Sequence, residues 1–465
     1  GPLSDFPYRQ NNGVFQVLFE TENVHLHYGD RWPDVIDLTA EVEFKNQGMK
    51  VFGQTGSISG NNIEQAFVEI KDFKTDPYLR VKGQLNDDIS GLYAFFKQSP
   101  LKERLSTLLK HSKISGPSVI ELDLGIPLRK KLEETVAATL RLQNNTLVFP
   151  TIDLAINDIQ GQINYDEQGL SGASIKGRFM GEQLDATIRS DGKKTVILGQ
   201  SHLNITQISK EVPSDLWAYV DGRSLAKIHV DFPHTAGKGE STITLSSHLE
   251  GVSVDLPAPV GKPKNTKKSF EAVLKIGGNS LPVTANYGDE LKTHFLFNEK
   301  TPNKFELGRA DIHFGTTKAA LPERSGIQLS GTLKQLNISD WQKALGFEKH
   351  QAVSYSIVNQ VNLNVHELHW LDTLVEQVHV TGHHKKSIWS GTLSGRNFSG
   401  RYQVPDDLSG ENKISLDLDV LKLPSIEGGA YRNKKPPLNP AEVPNIDLSS
   451  KEFFIGTSQL GELAL

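Results

Sequence analysis

Apolar and polar residues alternate with a period of two along almost the whole chain, as in Val24-His25-Leu26-His27-Tyr28, Ile120-Glu121-Leu122-Asp123-Leu124-Gly125-Ile126 and Val252-Ser253-Val254-Asp255-Leu256. Successive side chains of a strand point to opposite faces, so each block describes a ribbon with one oily and one wet face. Val42-Glu43-Phe44, Ile152-Asp153-Leu154-Ala155-Ile156, Ile243-Thr244-Leu245 and Ile414-Ser415-Leu416-Asp417-Leu418 read the same way. So much one-sided sheet has two physical solutions. Either two sheets bury their apolar faces against each other, or one long sheet curls around apolar material that is not protein.

The 465 residues exceed the size at which a single hydrophobic core keeps growing, which predicts two or three units, and 37% hydrophobic residues with 40 glycines is a folding composition. Lys and Arg number 50 against 55 Asp and Glu, a net charge of -5 spread along the chain, which leaves no basic footprint for nucleic acid. The absence of cysteine excludes disulfides, thiolate metal sites and a cysteine nucleophile. No run reaches the roughly 18 apolar residues of a membrane span, and no signal peptide opens the sequence. Gly1-Pro2-Leu3-Ser4 reads as the remnant of a cleaved tag, and Gln459 to Leu465 stop inside an alternating run, so a piece of a longer protein is expected.

Helical signals are short. Ser99 as N-cap, Pro100 at the first position and Leu101, Leu105, Leu108 and Leu109 along one face predict a helix from Ser99 to His111. A second is expected from Pro213 through Trp217 to Asp221-Gly222, and a third from a Ser339-Asp340 cap through Trp341, Leu345 and Phe347. These are too few to cover both faces of a parallel sheet, which sets the α/β class aside. Asn46-Gln47-Gly48, Asp166-Glu167-Gln168-Gly169, Asp191-Gly192, Gly277-Gly278-Asn279 and Ser409-Gly410 punctuate the blocks and predict a meander of antiparallel hairpins. Lys262 to Lys268 reads as a loop, and Glu427 to Pro444, rich in Gly and Pro, as a linker. One internal repeat is visible: Asp37 to Met49 aligns with Asp158 to Leu170, hairpin on hairpin, 121 residues later.

Chemistry-bearing patterns are sparse. Gly391-Thr392-Leu393-Ser394-Gly395 and Gly56-Ser57-Ile58-Ser59-Gly60 carry serine in the wrong place for a nucleophile elbow, and Gly192-Lys193-Lys194-Thr195 lacks the upstream glycine of a phosphate loop. His25-x-His27, His366-x-x-His369 and His379 with His383-His384 have spacings that hold a metal when a third ligand arrives from a neighbouring strand. His25 and His27, however, fall on the polar side of their strand, where solvated side chains belong. The carboxylate pairs Asp87-Asp88 and Asp406-Asp407 lie in turns, and sequons starting at Asn144, Asn204, Asn337 and Asn397 are expected by chance in this composition. The expectation is no catalytic residue, no metal, no cofactor and no enzymatic activity.

Four stretches are specific when taken together: Leu249 to Pro263 with Leu256-Pro257-Ala258-Pro259-Val260-Gly261-Lys262 at its centre; Leu336-Asn337-Ile338-Ser339-Asp340-Trp341; the opening Val24 to Tyr28, Trp32-Pro33, Asp37-Leu38 and Asn46 to Met49; and the closing Ile446-Asp447-Leu448, Phe453 to Gly456 and Leu460 to Leu463. They resemble the YhdP branch of the AsmA-like family, over most of the chain and without any catalytic motif. The resemblance implies a bridge-like lipid-transfer protein of the Gram-negative envelope, anchored in the inner membrane outside this stretch and crossing the periplasm. It implies a mainly β fold: a long, strongly twisted antiparallel sheet curled into an elongated open groove, built by repeated hairpin addition, with a few short helices. The implied partners are phospholipid acyl chains and, through parts outside this stretch, the inner and outer membranes, with no nucleic acid. Physical chemistry agrees, since moving acyl tails through water costs about 0.8 kcal/mol per exposed methylene. Roughly 20 to 25 strands, about 4.8 Å apart, would make a trough on the order of 100 Å long.

Within that reading the apolar members of the clearest blocks, Leu26, Val42, Phe44, Leu122, Leu124, Ile126, Leu154, Ile156, Ile163, Val252 and Val254, are expected to line one shared concave surface. Residues 1–4 are the tag remnant, 5–205 and 206–426 the first and second parts of the groove, 427–444 the linker, and 445–465 the start of a further β segment. The competing reading is a non-enzymatic envelope scaffold or adhesin of stacked sandwiches with a protein-filled core. An enzyme that cleaves polysaccharide would favour a regular coil period of roughly 20 to 25 residues, which the sequence lacks.

Overall fold

The computed structural model describes residues 1–10, 12–30, 32–99, 112–129, 132–212, 214–234, 240–301, 304–344, 358–370, 373–408, 412–423 and 445–465. Strands β1 (Gln16–Leu26), β2 (Val35–Lys45), β3 (Gly48–Ile58), β4 (Asn61–Ile70) and β5 (Tyr78–Asp88) lead into helix α1 (Ile89–Gln98). The chain continues through β6 (Lys113–Ser115), β7 (Pro117–Pro127), β8 (Thr135–Phe149), β9 (Leu154–Asp166), β10 (Gly169–Phe179), β11 (Glu182–Ser190) and β12 (Lys194–Asn204) to α2 (Ile205–Glu211). Next come β13 (Val220–Pro233), β14 (Ser241–Ser247), β15 (Val252–Val254), β16 (Phe270–Ile276), β17 (Ser280–Tyr287), β18 (Leu291–Thr301), β19 (Lys304–Phe314) and β20 (Gly326–Asn337). After α3 (Ile338–Ala344) follow β21 (Val358–Trp370), β22 (Thr373–Lys385), β23 (Ile388–Gly395), β24 (Phe398–Pro405), β25 (Lys413–Leu423), β26 (Asn445–Ile455) and β27 (Ser458–Ala464).

All 27 strands join one sheet. Leaving out β6 and β15, each strand pairs with its predecessor and its successor, so the ribbon is laid down in chain order. β6 borders the far end of β8, beyond the reach of β7, and β15 borders the first three residues of β13. β1 and β27 do not meet, so the sheet is an open ribbon and not a barrel; at about 4.8 Å per strand it runs on the order of 100 Å. Pairing continues unbroken from β12 to β13, where the sequence reading divides the groove into two parts.

The expected all-antiparallel meander needs one correction. β19 and β20, β20 and β21, and β25 and β26 pair parallel, which makes the sheet mixed. A parallel neighbour requires a crossover that returns the chain to its starting edge, and the connections there are the long segments 315–325, 338–357 and 424–444. Pairing directions also show that β5, β12 and β20 run the same way, so α1, α2 and α3, which follow them, all sit on one long edge of the ribbon.

The helices differ from the sequence expectation in position. α1 ends at Gln98, just before the expected one, whose residues from Pro100 onward lie outside the described residues. It starts where it does because Asp88 caps it: its carboxylate accepts the Ser90 N–H at 2.8 Å and the Gly116 N–H at 2.8 Å. Of the segment expected as the second helix, Pro213 lies outside the described residues and the rest forms a 3-10 turn, Asp215–Tyr219, capped by Ser214, with Val220 already in β13. α3 is capped by Asn337, whose Oδ1 accepts the Asp340 N–H at 3.3 Å, one residue pair earlier than the Ser339-Asp340 cap expected. Leu345, Phe347, the Ser409-Gly410 turn and the Glu427 to Pro444 linker lie outside the described residues.

The internal repeat is carried by backbone geometry. Asn23, Asp37 and Ser59 have φ of 54°, 55° and 50°, and Asn144, Asp158 and Met180, each 121 residues later, have 57°, 51° and 47°. Asn and Asp tolerate this left-handed conformation better than most residues. At the first two pairs the strand register shifts, so β1–β3 and β8–β10 bend at the same places.

Candidate functional site

Register decides which side chains share a face, because directly opposed residues point the same way. From β8 to β26 one row runs without a break: Leu142, Gly161, Ile175, Ala186, Gly199, Ile228, Leu245, Ala272, Ala285, Thr293, Ile312, Leu329, Val361, Gly382, Gly391, Tyr402, Leu416 and Leu448. It contains no charge, and only Thr293 and Tyr402 carry a side-chain polar atom. The row one residue over, on the opposite face, includes His294, Asp311, Gln328, Gln360, His383, Ser390, Gln403, Ser415 and Asp447. From β18 to β26, therefore, one face of the ribbon carries an apolar row and the other a polar one.

Most of the expected residues fall on that apolar face. Val42 and Leu124 belong to a row Val42, Val51, Val68, Val81, Leu124, Val136 across β2 to β8. Leu122, Leu124, Ile126, Ile156 and Ile163 share one apolar cluster, and Leu154 packs in the adjoining one with Phe149, Val230 and Phe232, to which Ile156 also belongs. Phe44 opposes Met49 and stacks on Phe19, ring centroids 6.4 Å apart. Leu26 opposes Val35 but is 37% exposed at the end of edge strand β1. Val252 departs from the expectation. It lies on β15, 1% exposed, packed with Ile205, Ile208, Leu249 and Trp217 beside α2, so protein covers it; Val254 opposes Val220 on the same short pairing.

Coverage of the apolar face is uneven. Toward the start of the ribbon, Leu85, Ile120 and Leu124 are buried by Ile89 and Phe95 of α1 and by Trp32 from the β1–β2 loop, and Trp32 and Phe95 stand 6.0 Å apart. From β13 onward Ile228, Leu245, Ile312, Leu329, Val361 and Leu416 are only half-buried. The crossover 315–325 does not cover them, because it is strapped to the polar face. Asp311, 1% exposed, accepts the Ala320 N–H at 2.9 Å and the Ser330 hydroxyl at 2.7 Å, while Arg309 donates to the Pro322 carbonyl at 3.1 Å. Gly and Ala at seven of the eighteen row positions keep the floor low. At Gly382 a Cβ would meet the Tyr402 hydroxyl at 2.1 Å, so the phenol lies across a glycine, and burial raises its pKa.

The titratable clusters have structural partners. His25 and His27 both bond to Asp34, at 2.6 and 2.7 Å, closing the β1–β2 loop; Asp34 and then Asp30 draw the His27 pKa upward. His384 meets Asp406 at 2.8 Å beside Trp389, and Asp88 is the α1 cap. Among the described residues no group of three or more His, Asp or Glu is arranged to hold a metal ion, and no helix is long and apolar enough to cross a membrane.

The profile of the family described as YhdP protein matches residues 1–465. The chain belongs to the YhdP family. It is 24% identical over 348 residues to the intermembrane phospholipid transporter YhdP of Escherichia coli (strain K12), an alignment covering 72% of this chain and 26% of that protein. The chain thus spans about a quarter of the length of the curated relative it matches. No solved structure matches it.

Two of the stretches that carry the YhdP resemblance form loops packed beside the apolar clusters. Gly261 closes the Leu256 to Pro263 loop, where a Cβ would meet the Leu256 carbonyl oxygen at 2.0 Å. Lys262 turns its ammonium inward to the Val252 and Pro263 carbonyls at 2.7 and 3.0 Å, and burial lowers its pKa. Tyr287 ties the loop down by donating to the Val260 carbonyl at 2.9 Å. Trp32 of the Trp-Pro pair is the side chain that meets Phe95 over the floor. Sequence reasoning missed Phe95 and the Asp311 strap; a helix signal at Ile89 to Gln98 and a buried-acid signal would have been needed to find them.

Proposed function

We propose that the apolar face binds phospholipid acyl chains and lets them move along the ribbon, as one periplasmic segment of a conduit between the inner and outer membranes. The observation that carries this reading is the unbroken eighteen-residue apolar row, half-buried over its second part. A tail of about fifteen methylenes would gain roughly 12 kcal/mol on leaving water for such a surface. The headgroup would stay in water at the open side, and no bond in the lipid need be made or broken. The printed function of the Escherichia coli relative, an intermembrane phospholipid transporter, points the same way. An apolar strip of several hundred Å² left bare would favour aggregation, so the purified chain is expected to retain lipid. Mass spectrometry of its organic extract tests this. Phospholipids of mixed headgroup are expected; finding none, together with no uptake of a photo-crosslinkable phospholipid, would favour the scaffold reading.

A further inference from the structure

A cavity lies on the polar face, opposite the apolar floor. It is a trough of about 740 Å³ across β3, β4, β5, β7, β8 and β9. One wall is the in-register row Gln65, Gln84, Glu121, Thr139 and Asn164, one residue from each of five neighbouring strands. The other begins with Phe52 and Phe67, ring centroids 5.2 Å apart, and continues as Lys82 and Asp123. Between the walls run Gly53, Ala66 and Gly83, which belong to the apolar-face register, so the floor of the trough is backbone.

The chemistry of this lining is selective. Its charges are largely spent on neighbours, Lys82 on Asp123 at 3.3 Å and Glu121 on Arg141 at 2.6 Å. Three lining carboxylates, Glu121, Asp123 and Asp166, against one lysine disfavour an anion. What remains is a file of amides and a hydroxyl beside a phenyl plate, with Phe52 44% exposed. A second, smaller cavity of about 160 Å³ adjoins it through Asp123, and there Arg80 holds its Nη1 out of solvent with no hydrogen-bond partner among the described residues. The Arg80 guanidinium, paired with Asp76 at 2.9 Å, lines this smaller cavity and can donate to an acceptor there.

We propose that this trough binds a linear, uncharged oligosaccharide, with an acetamido carbonyl or similar acceptor at Arg80. Sugar hydroxyls both donate and accept, which suits Gln, Asn and Thr side chains, while the C–H face of a pyranose lies flat on an aromatic ring. Strands about 4.8 Å apart present one wall side chain per length of roughly one pyranose. An extended peptide is less suited, since the floor's backbone groups are already paired within the sheet and offer no free edge.

Calorimetric titration of the full chain with tetra-N-acetylchitotetraose tests the proposal, with cellotetraose and an uncharged peptide of similar length in parallel. Saturable saccharide binding is expected, weakened at least about tenfold, or about 1.4 kcal/mol, by Phe52→Ser and by Gln84→Ala, both on the polar face. Arg80→Gln should weaken the acetylated sugar more than cellotetraose. Circular dichroism and retained phospholipid should be unchanged in the wall variants, which separates this site from the apolar face. No saturable saccharide binding, binding that both wall variants leave intact, or tighter binding of the peptide would overturn it.

Discussion

Ile312 stands in the apolar row between Thr293 and Leu329, half-buried. A carboxylate there can stay hydrated on the open side while the protein folds, but an acyl chain pressed against it would dehydrate it at a cost of several kcal/mol. Ile312→Asp is therefore expected to keep its circular dichroism spectrum and to retain at least about tenfold less phospholipid by mass spectrometry, corresponding to about 1.4 kcal/mol or more. Leu124→Asp should behave differently. Leu124 is 3% exposed inside the cluster under α1, so the same change there is expected to lower the unfolding midpoint sharply before any effect on lipid can be read. Asp88 gives a pH signature. The Ser90 hydroxyl and N–H, and the Gly116 N–H, hold its carboxyl below the usual carboxylate range. Because the folded-state pKa is depressed, its contribution is complete above the unfolded value, near 4, and is lost as pH falls through the folded one. Amide exchange in α1 should be constant from about pH 5 to 8 after correction for intrinsic rates, and should quicken only in acid. Asp88→Ala should remove about 1 kcal/mol at neutral pH.

At the scale of elements, α1 and the Trp32 loop form a cover that would have to shift for an acyl chain to pass beneath. The end of α1 rests on the β3–β4 turn, where the Ser59 hydroxyl donates to Gln98 Oε1 at 3.4 Å. The chain has no cysteine, so Ser59→Cys with Gln98→Cys, joined by a short bis-maleimide, would pin the helix without side reactions. Pinning is expected to reduce lipid crosslinking to a photo-reactive residue at Val81 at least about tenfold, while single-cysteine controls capped with a mono-maleimide stay at the wild-type level; equal crosslinking in all forms would show that α1 is fixed architecture. The strands were legible because a period of two survives wherever one face is dry, as in Ile120 to Ile126. The helix was not, because Ile89 to Gln98 carries Gly91 and three aromatic residues, while the stronger leucine spacing lies beyond it. The parallel pairings were equally hidden. A crossover is a property of where a strand returns, and nothing in Gly315 to Ser325 distinguishes it from a long hairpin loop; the acid that fastens it, Asp311, lies before it on β19, and no local pattern announces its burial. Alternation put most of the expected residues on one face of the sheet, whereas Val252 lies on β15, which shares the period but packs beside α2.

For the whole molecule, the account rests on continuity. Chain-order pairing brings apolar residues from β8 to β26 into one row, helices keep to one edge, and the crossover 315–325 is fastened to the polar side by Arg309 and Asp311. The repeated left-handed residues, Asn23 and Asp37, then Asn144 and Asp158, show the ribbon extended by reuse of one bent hairpin. The central claim is that lipid follows the apolar row and ignores the face behind it. Site-specific photo-crosslinking in the lipid-loaded chain measures this directly, with a photo-reactive residue placed in turn at Ile228, Ile312 and Leu416 and at their polar-face neighbours His229, His313 and Asp417. The account predicts phospholipid adducts at all three row positions and none at the three neighbours; adducts distributed equally over both faces, or confined to a single row position, would contradict it.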